Sequence, residues 1–253
     1  SKSFVDSERS WQANYGQLTC GHCNLTYFHY KGWFLSKLIS NFAKLNSLTK
    51  EMKLIVVTTP TFFVEEDKII TALFEEGLDI LHLRKPETPA MYSERLLTLI
   101  PEKYHKRIVT HEHFYLKEEF NLMGIHLNAR NPKEPHDYSG HISCSCHSVE
   151  EVKNKKHFYD YVFMSPVYDS ISKEGYNSPY TAEELRLAAK DKIIDNKVMA
   201  LGGITPDNIL EVKDFGFGGA VVLGDLWGKF DACSDQDYLA VIEHFKKLKR
   251  MAD

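Results

Sequence analysis

Short apolar runs alternate with helical or turn-like segments from Lys53 to the end of the chain. The runs have the length of buried strands, and turn-forming residues separate many of them from their neighbours. Such an alternation predicts an α/β protein with a parallel sheet. We predict strands at Leu54–Thr58, Asp79–Leu83, Arg107–His111, Gly124–Asn128, Ile142–Ser145, Tyr161–Ser165, Lys197–Leu201 and Ala220–Leu223.

Helical periodicity lies between several of these runs. Residues 183–194 and 238–248 carry apolar side chains at helical spacing, so we predict helices there. Residues 129–140 hold two prolines and no helical period, which predicts a loop. Between the first two strands, four apolar residues fall on one helical face: Ile69, Ile70, Leu73 and Phe74.

Eight strands with intervening helices fit a minimal (β/α)₈ TIM barrel over residues 52–253. A doubly wound open sheet is the structural competitor. No G-x-G-x-x-G motif follows the first strand, so the pattern favours the barrel.

Polar side chains share one face at the carboxyl ends of three predicted strands. Barrel strands alternate inward and outward side chains, so the apolar set can pack under the helices while the polar set points inward. We predict that the polar set meets at the barrel mouth, where barrel enzymes place their chemistry, and that His147 is catalytic. The pairs are His82 with Arg84, His126 with Asn128, and Ser145 with His147.

Glycine turns follow the last two predicted strands. Gly202 and Gly203 allow a sharp turn with bare backbone amides, and Gly224 follows the final strand. Thr205 can cap a helix that starts at Pro206, and amides near a helix N-terminus bind anions. The turns predict a phosphate site, because barrels often hold a phosphate after these two strands.

A long loop follows the sixth strand, from Pro166 to Gly175. It carries hydroxyl side chains, and we predict that it can fold over the barrel mouth as a lid, with Lys173 reaching a phosphate. The alternative is a solvated loop with a surface lysine.

Composition narrows the class of protein. The 253 residues are 43% hydrophobic and 26% charged, with a net charge of −4, which disfavours a nucleic-acid partner. No apolar run reaches the length of a membrane span. Five cysteines do not make a disulfide framework at this length, so we expect a reducing cytoplasm.

Residues 1–51 lack the pattern of the rest, and we predict an irregular N-terminal extension, with Met52 as a candidate native start. Cys20 and Cys23 form a C-x-x-C pair that resembles a redox motif. No βαβ unit surrounds it, and one such pair supplies half of a zinc site, so we expect no function there.

Six motifs, in order and at barrel spacing, resemble the thiamine phosphate synthase and thiazole tautomerase superfamily over about residues 52–228. The motifs are Leu81–Lys85, Gly124–Leu127, Ser145–Glu151, Ser165–Lys173, Leu201–Asn208 and Gly219–Val222. The resemblance implies a small-molecule substrate, a thiazole phosphate, with its phosphate on Gly202, Gly203 and Gly224. We assign substrate binding to Arg84, His82, His126, Ser170 and Lys173.

The resemblance to the synthase implies that a thiazole nitrogen displaces the pyrophosphate of a pyrimidine methyl pyrophosphate, helped by Mg²⁺. This chain departs from the synthase motif, because His82 replaces a glutamine and Pro86 stands where a lysine is expected. The synthase has two metal-binding aspartates. One position is occupied here by Asn131, and the other keeps a carboxylate only if Glu112 substitutes for the aspartate.

The tautomerase branch moves a proton on a thiazole carboxylate phosphate and lacks that metal requirement. Proton transfer needs an acid and base with pKa near neutrality, which histidine supplies. The branch's catalytic histidine falls on His147, with Ser145 beside it. We therefore favour thiazole tautomerase without a cofactor, with the Mg²⁺-dependent synthase as the alternative.

Two further classes stay open. A phosphate-binding regulator without catalysis would fit the glycine turns, but the presence of His147 argues against it. A metal-dependent hydrolase could use His111, His113 and His126, although no carboxylate cluster completes that site. A homo-oligomer is compatible with the sequence.

Overall fold

The computed structural model describes residues 51–169, 178–230 and 237–253. Within them, eight parallel strands close into a barrel, each paired with the next and the last with the first. The predicted (β/α)₈ fold is therefore confirmed. The strands are β1 (Lys53–Val57), β2 (Ile80–Leu83), β3 (Ile108–Thr110), β4 (Gly124–Leu127), β5 (His141–Cys146), β6 (Tyr161–Met164), β7 (Val198–Leu201) and β8 (Gly219–Val222).

Helices surround the barrel, and none of the described ones is long and apolar enough to cross a membrane. The predicted apolar face of the first helix is buried, and residues 129–140 contain no helix, as predicted. The helices are α1 (Glu66–Glu75), α2 (Ala90–Leu99), α3 (Leu116–Glu119), α4 (Val149–Lys155), α5 (Ala182–Lys190), α6 (Ile209–Asp214), α7 (Gly224–Trp227) and α8 (Asp237–Ala252), with 3₁₀ turns at Glu102–Arg107 and Lys156–Phe158.

Side chains alternate across the barrel wall. Leu81 and Leu83 of β2 belong to the larger core between the barrel and its helices. His82, between them, is fully buried and is the register partner of Val57 and Val109, which belong to the core inside the barrel. The inward orientation predicted for the polar residues of this strand is therefore confirmed.

Many element ends differ from the prediction by one or a few residues. Strand β3 stops at Thr110, so His111 follows the strand instead of ending it. Helix α5 ends at Lys190, whereas the apolar spacing extends to Ile194. The reason is local, because Lys192 takes a positive φ of 57°, a left-handed conformation that cannot continue a helix.

The helix after the first glycine turn also starts later than predicted. Its first residue is Ile209, not Pro206. The Asn208 side chain explains this, because its Oδ1 accepts from the Thr205 amide and its Nδ2 donates to the Gly203 carbonyl. Residues 205–208 therefore form a side-chain-braced turn between the glycines and α6.

Close packing explains the paired glycines. Gly202 and Gly203 have φ values of 106° and 63°, which favour glycine. A Cβ on Gly202 would lie 2.9 Å from Pro166, and one on Gly203 would lie 2.3 Å from the carbonyl oxygen of Asp169. The backbone after β6 thus presses directly against the turn after β7.

Candidate active site

A cavity of about 260 Å³ opens at the carboxyl end of the barrel. Strands β2 to β4 supply one side and β7 and β8 supply the other, since β3 and β7 lie opposite each other in a closed barrel of eight strands. The polar lining residues include Arg84, His111, Asn128, Arg130, Ser145, His147 and Asp225, and the glycine side includes Gly202, Gly203 and Gly224. Of the residues predicted from the strand ends and glycine turns, all line this cavity except His82 and His126, which are fully buried.

His147 lies at the exposed rim. Its Nδ1 is 3.1 Å from the carbonyl oxygen of Ser165, and its amide donates to Glu151. Because a carbonyl can only accept, Nδ1 donates, and Nε2 keeps its lone pair in the neutral ring. This tautomer leaves Nε2 able to accept a proton from a substrate.

Ser145 lines the cavity, but its hydrogen-bond partner is His126 and not His147. Its Oγ is 2.9 Å from His126 Nε2, and the Oγ of Ser143 is 2.9 Å from His126 Nδ1. Ser145 and His147 thus line the same cavity, as predicted, but do not bond each other. The buried imidazole of His126 orients the Ser145 hydroxyl.

His82 and His126 lie beneath the cavity lining, inside the barrel. His82 Nδ1 is 2.8 Å from His111 Nε2, and His82 Nε2 is 2.7 Å from the Tyr161 hydroxyl. The rings of His111 and His126 stack at 4.2 Å. His82 and His126 do not line the cavity, so this geometry does not favour their predicted direct contact with substrate. They instead bond His111 and Ser145, which do line it.

Burial keeps these three histidines neutral. Desolvation lowers the pKa of His82 and His111 well below its ordinary value, and it lowers that of His126 to about 3. The neighbouring histidines contribute in the same direction, because like charges repel. The cluster is therefore a neutral hydrogen-bonded network at physiological pH.

The metal-hydrolase alternative finds little support in this geometry. The ligand atoms of His82, His111 and His126 lie within 4.8 Å of one another. However, the rings of His82 and His111 bond each other, and His126 is held by two serines. The stacked rings of His111 and His126 do not direct their nitrogens toward one point. His113 is not part of the cluster, since its Nε2 bonds the Thr88 carbonyl.

An arginine pair forms the wall at the ends of β2 and β4. Arg84 and Arg130 both line the cavity, and burial followed by the charge of Arg130 lowers the pKa of Arg84. Arg130 Nη2 lies 2.8 Å from Glu112 Oε1. Sequence reasoning missed Arg130, which lies in the turn after β4, two residues beyond Asn128.

Mg²⁺ does not fit the positions that the superfamily resemblance assigns to it. Glu112 uses Oε1 for Arg130 and Oε2, at 3.0 Å, for the amide of Lys85. Asn131 directs its Nδ2 donor to the His111 carbonyl at 2.9 Å. One carboxylate is thus occupied by protein donors, and the other is replaced by an amide, so no carboxylate cage for a hard cation is formed there.

Ser170 and Lys173 lie outside the described residues, as does the C-x-x-C pair of the predicted extension. The predicted lid therefore stays a prediction.

Comparisons with known proteins identify the family of this chain. The chain matches the family described as thiamine monophosphate synthase over residues 54–226. It is 25% identical to a thiamine-phosphate synthase of Halalkalibacterium halodurans over 195 residues, which cover 72% of this chain and 90% of that protein. The relatives' names thus favour the synthase over the tautomerase that we favoured from the sequence.

Solved structures give the same result. The chain is 86% identical to a thiamine phosphate pyrophosphorylase from Bacteroides thetaiotaomicron, with a TM-score of 0.75 and coverage of 80% of this chain and 98% of that one. A thiamine phosphate pyrophosphorylase from Pyrococcus furiosus, 19% identical with a TM-score of 0.62, covers 81% of this chain and 97% of that one and shares the fold. The chain is an enzyme of the thiamine monophosphate synthase family.

Proposed function

We propose that this protein is a thiamine phosphate synthase, which couples a thiazole phosphate to a pyrimidine methyl pyrophosphate. The observation that carries the proposal is one cavity with bare glycine turns on one side and an arginine pair on the other. Such a cavity offers separate sites for a phosphate and for a pyrophosphate. The family and the names of the relatives support the same reaction.

In this reaction the thiazole nitrogen attacks the methylene carbon of the pyrimidine. A C–N bond forms, the C–O bond to pyrophosphate breaks, and pyrophosphate leaves with the electron pair. Gly202, Gly203 and Gly224 would hold the thiazole phosphate, and Arg84 would stabilise the charge that develops on the leaving group. The apolar residues Val57, Phe163 and Val221 would exclude water beneath the rings.

The second candidate is thiazole tautomerase, and the geometry of His147 favours it. The coupling step takes no proton from the thiazole, so it leaves His147 without a task. An imidazole whose Nδ1 donates to the Ser165 carbonyl and whose Nε2 is available fits a proton transfer instead. The absence of a carboxylate cage at Glu112 and Asn131 is also compatible with a metal-free reaction.

One experiment separates the two activities. The purified protein is incubated with thiazole phosphate and pyrimidine methyl pyrophosphate, and separately with the dearomatised thiazole carboxylate phosphate, and the products are separated by chromatography. We expect thiamine phosphate from the first mixture. If the first mixture gives no product and the second gives aromatised thiazole carboxylate phosphate, the protein is a tautomerase and not a synthase.

A further inference from the structure

The wall formed by β2 and β4 offers hydrogen-bond donors without matching acceptors. Asn128 Nδ2 is buried and has no partner among the described residues, although Asn128 lines the cavity. Arg84 has no salt-bridge partner within residues 51–169, 178–230 and 237–253. A buried donor without a partner is costly, so a wall of this kind fits a ligand rich in acceptor atoms.

The charges on this wall do not balance. Arg84 and Arg130 bring two positive charges, and Glu112 brings one negative charge. Asp225, another acid that lines the cavity, follows β8 on the glycine side and bonds His244. One positive charge is therefore left to face the cavity, where partial burial strengthens its attraction for an anion.

The loop after β4 holds Arg130 in place. Asn128 Oδ1 accepts hydrogen bonds from the backbone amides of Arg130 and Asn131 at 2.9 and 3.2 Å. The backbone amide of Asn128 donates to the backbone carbonyl of Asn131 at 3.1 Å. The contact of Asn131 with the carbonyl of His111 ties the loop to the end of β3. The guanidinium group is thus positioned before a ligand arrives, which reduces the entropy lost on binding.

We propose that Arg130, held by Glu112 beside Arg84 and Asn128, takes the place of a divalent cation, so that this wall binds pyrophosphate without metal. Guanidinium groups bind phosphate oxygens through paired hydrogen bonds, and the side-chain Nδ2 of Asn128 adds a third donor. The inference rests on the proposed synthase function, because that reaction supplies the pyrophosphate group.

The test is titration calorimetry of the purified protein with inorganic pyrophosphate, in EDTA and in Mg²⁺. The wild type should bind in EDTA. Arg130→Ala should weaken this binding about 10- to 100-fold, the range for a lost hydrogen bond to a charged group. Asn128→Asp keeps the oxygen that holds the loop but replaces the unpartnered donor with a negative charge, so it should weaken binding as well.

Arg186→Ala is the matched control, because Arg186 also pairs with a glutamate, Glu211, but belongs to α5 and is largely exposed. This variant should bind pyrophosphate like the wild type. Thermal unfolding of each variant separates a lost ligand contact from a lost fold. Binding that requires Mg²⁺, no binding in either buffer, or unchanged affinity in Arg130→Ala would overturn the proposal.

The coupling assay separates a failure of the metal-free pyrophosphate site from a failure of the proposed synthase function. Thiamine phosphate formation with an absolute need for Mg²⁺ would keep the synthase and remove the metal-free site. Metal-free pyrophosphate binding without any coupled product would keep the site and remove the synthase.

Discussion

At the residue scale, His147 separates the two candidate activities. Glutamine at this position keeps a similar size and some hydrogen bonding but cannot exchange a proton near neutral pH. His147→Gln should therefore lower tautomerase turnover by ~10²–10⁴-fold while leaving the coupling reaction near its wild-type rate, because coupling removes no proton from the thiazole.

The measurement is steady-state kinetics with each substrate set, together with the affinity for the thiazole phosphate product. His157→Gln, a change at an exposed histidine of the turn after α4, is the control and should change neither rate. Full tautomerase turnover in His147→Gln would remove the assigned role and leave the phosphate site untouched.

The glycine turn gives a second prediction at this scale. Gly203→Asp should abolish binding of a phosphate ester, since it adds a negative charge where the anion belongs. The close approach of the Asp169 carbonyl means that the turn also shifts, so the variant should lose thermal stability. Titration with thiazole phosphate and thermal unfolding measure the two effects.

Gly216→Ala is the matched control for backbone strain. Gly216 also has a positive φ, 84°, but nothing lies within 4 Å of its added Cβ. We expect this variant to lose a little stability and no affinity. Wild-type affinity in Gly203→Asp would contradict the phosphate assignment.

At the element scale, strand parity carried most of the information in the sequence. The period of two placed Leu81 and Leu83 outside the barrel and His82 inside, as the structure has them. Helix ends were less predictable, because they depend on single contacts such as those of Asn208. Arg130 escaped prediction because its partner Glu112 follows a different strand, 18 residues away.

A buried ion pair joins the segment after β2 to the start of α1 and gives a prediction about stability. Lys85 Nζ lies 2.5 Å from Glu66 Oε1, and both side chains are about 1% exposed. Lys85→Met should destabilise the protein by about 3–5 kcal/mol at pH 8, because it leaves a buried carboxylate without its partner. Burial already raises the pKa of Glu66 to about 7, so protonation should make the loss smaller at pH 5.

Urea unfolding at the two pH values measures this difference. Lys68→Met is the control, since Lys68 forms an exposed pair with Glu65 at the start of α1. Its loss of stability should be small and the same at both pH values, because solvent screens an exposed pair. An equal loss for Lys85→Met at both pH values would show that packing of the aliphatic chain, not the charge, accounts for the effect.

At the scale of the whole molecule, the barrel interior contains a network of neutral histidines, and strand periodicity does not reveal the hydrogen bonds of that network. The sequence indicated that His82 and His126 point inward, but not that they bond Tyr161, Ser143 and Ser145. The His82–Tyr161 bond joins β2 to β6 across the closed barrel, whereas the two bonds of His126 join the neighbouring strands β4 and β5. Closure is a property of the complete barrel and not of any one strand.

These histidines make stability depend on pH. Unfolding exposes imidazoles with an ordinary pKa near 6.5, whereas burial lowers the pKa of His126 to about 3 in the folded protein. The stabilisation from His126 is therefore complete above pH 6.5 and is lost as pH falls toward 3. His82 and His111 act in the same direction. Glu66 opposes them, because a raised pKa favours the folded state at low pH.

The three histidines outnumber Glu66, so the free energy of unfolding should fall as the pH drops from 6.5 to 5. Each histidine that takes up a proton on unfolding contributes about 1.4 kcal/mol per pH unit. His126→Gln should therefore reduce the slope by about that amount, whereas His136→Gln, at a side chain 93% exposed, should leave it unchanged. Urea unfolding across this range measures the slopes. Stability that rises on acidification would show that the interior histidines are charged in the folded barrel, and the hydrogen-bonded network beneath the cavity would then have to be reassigned.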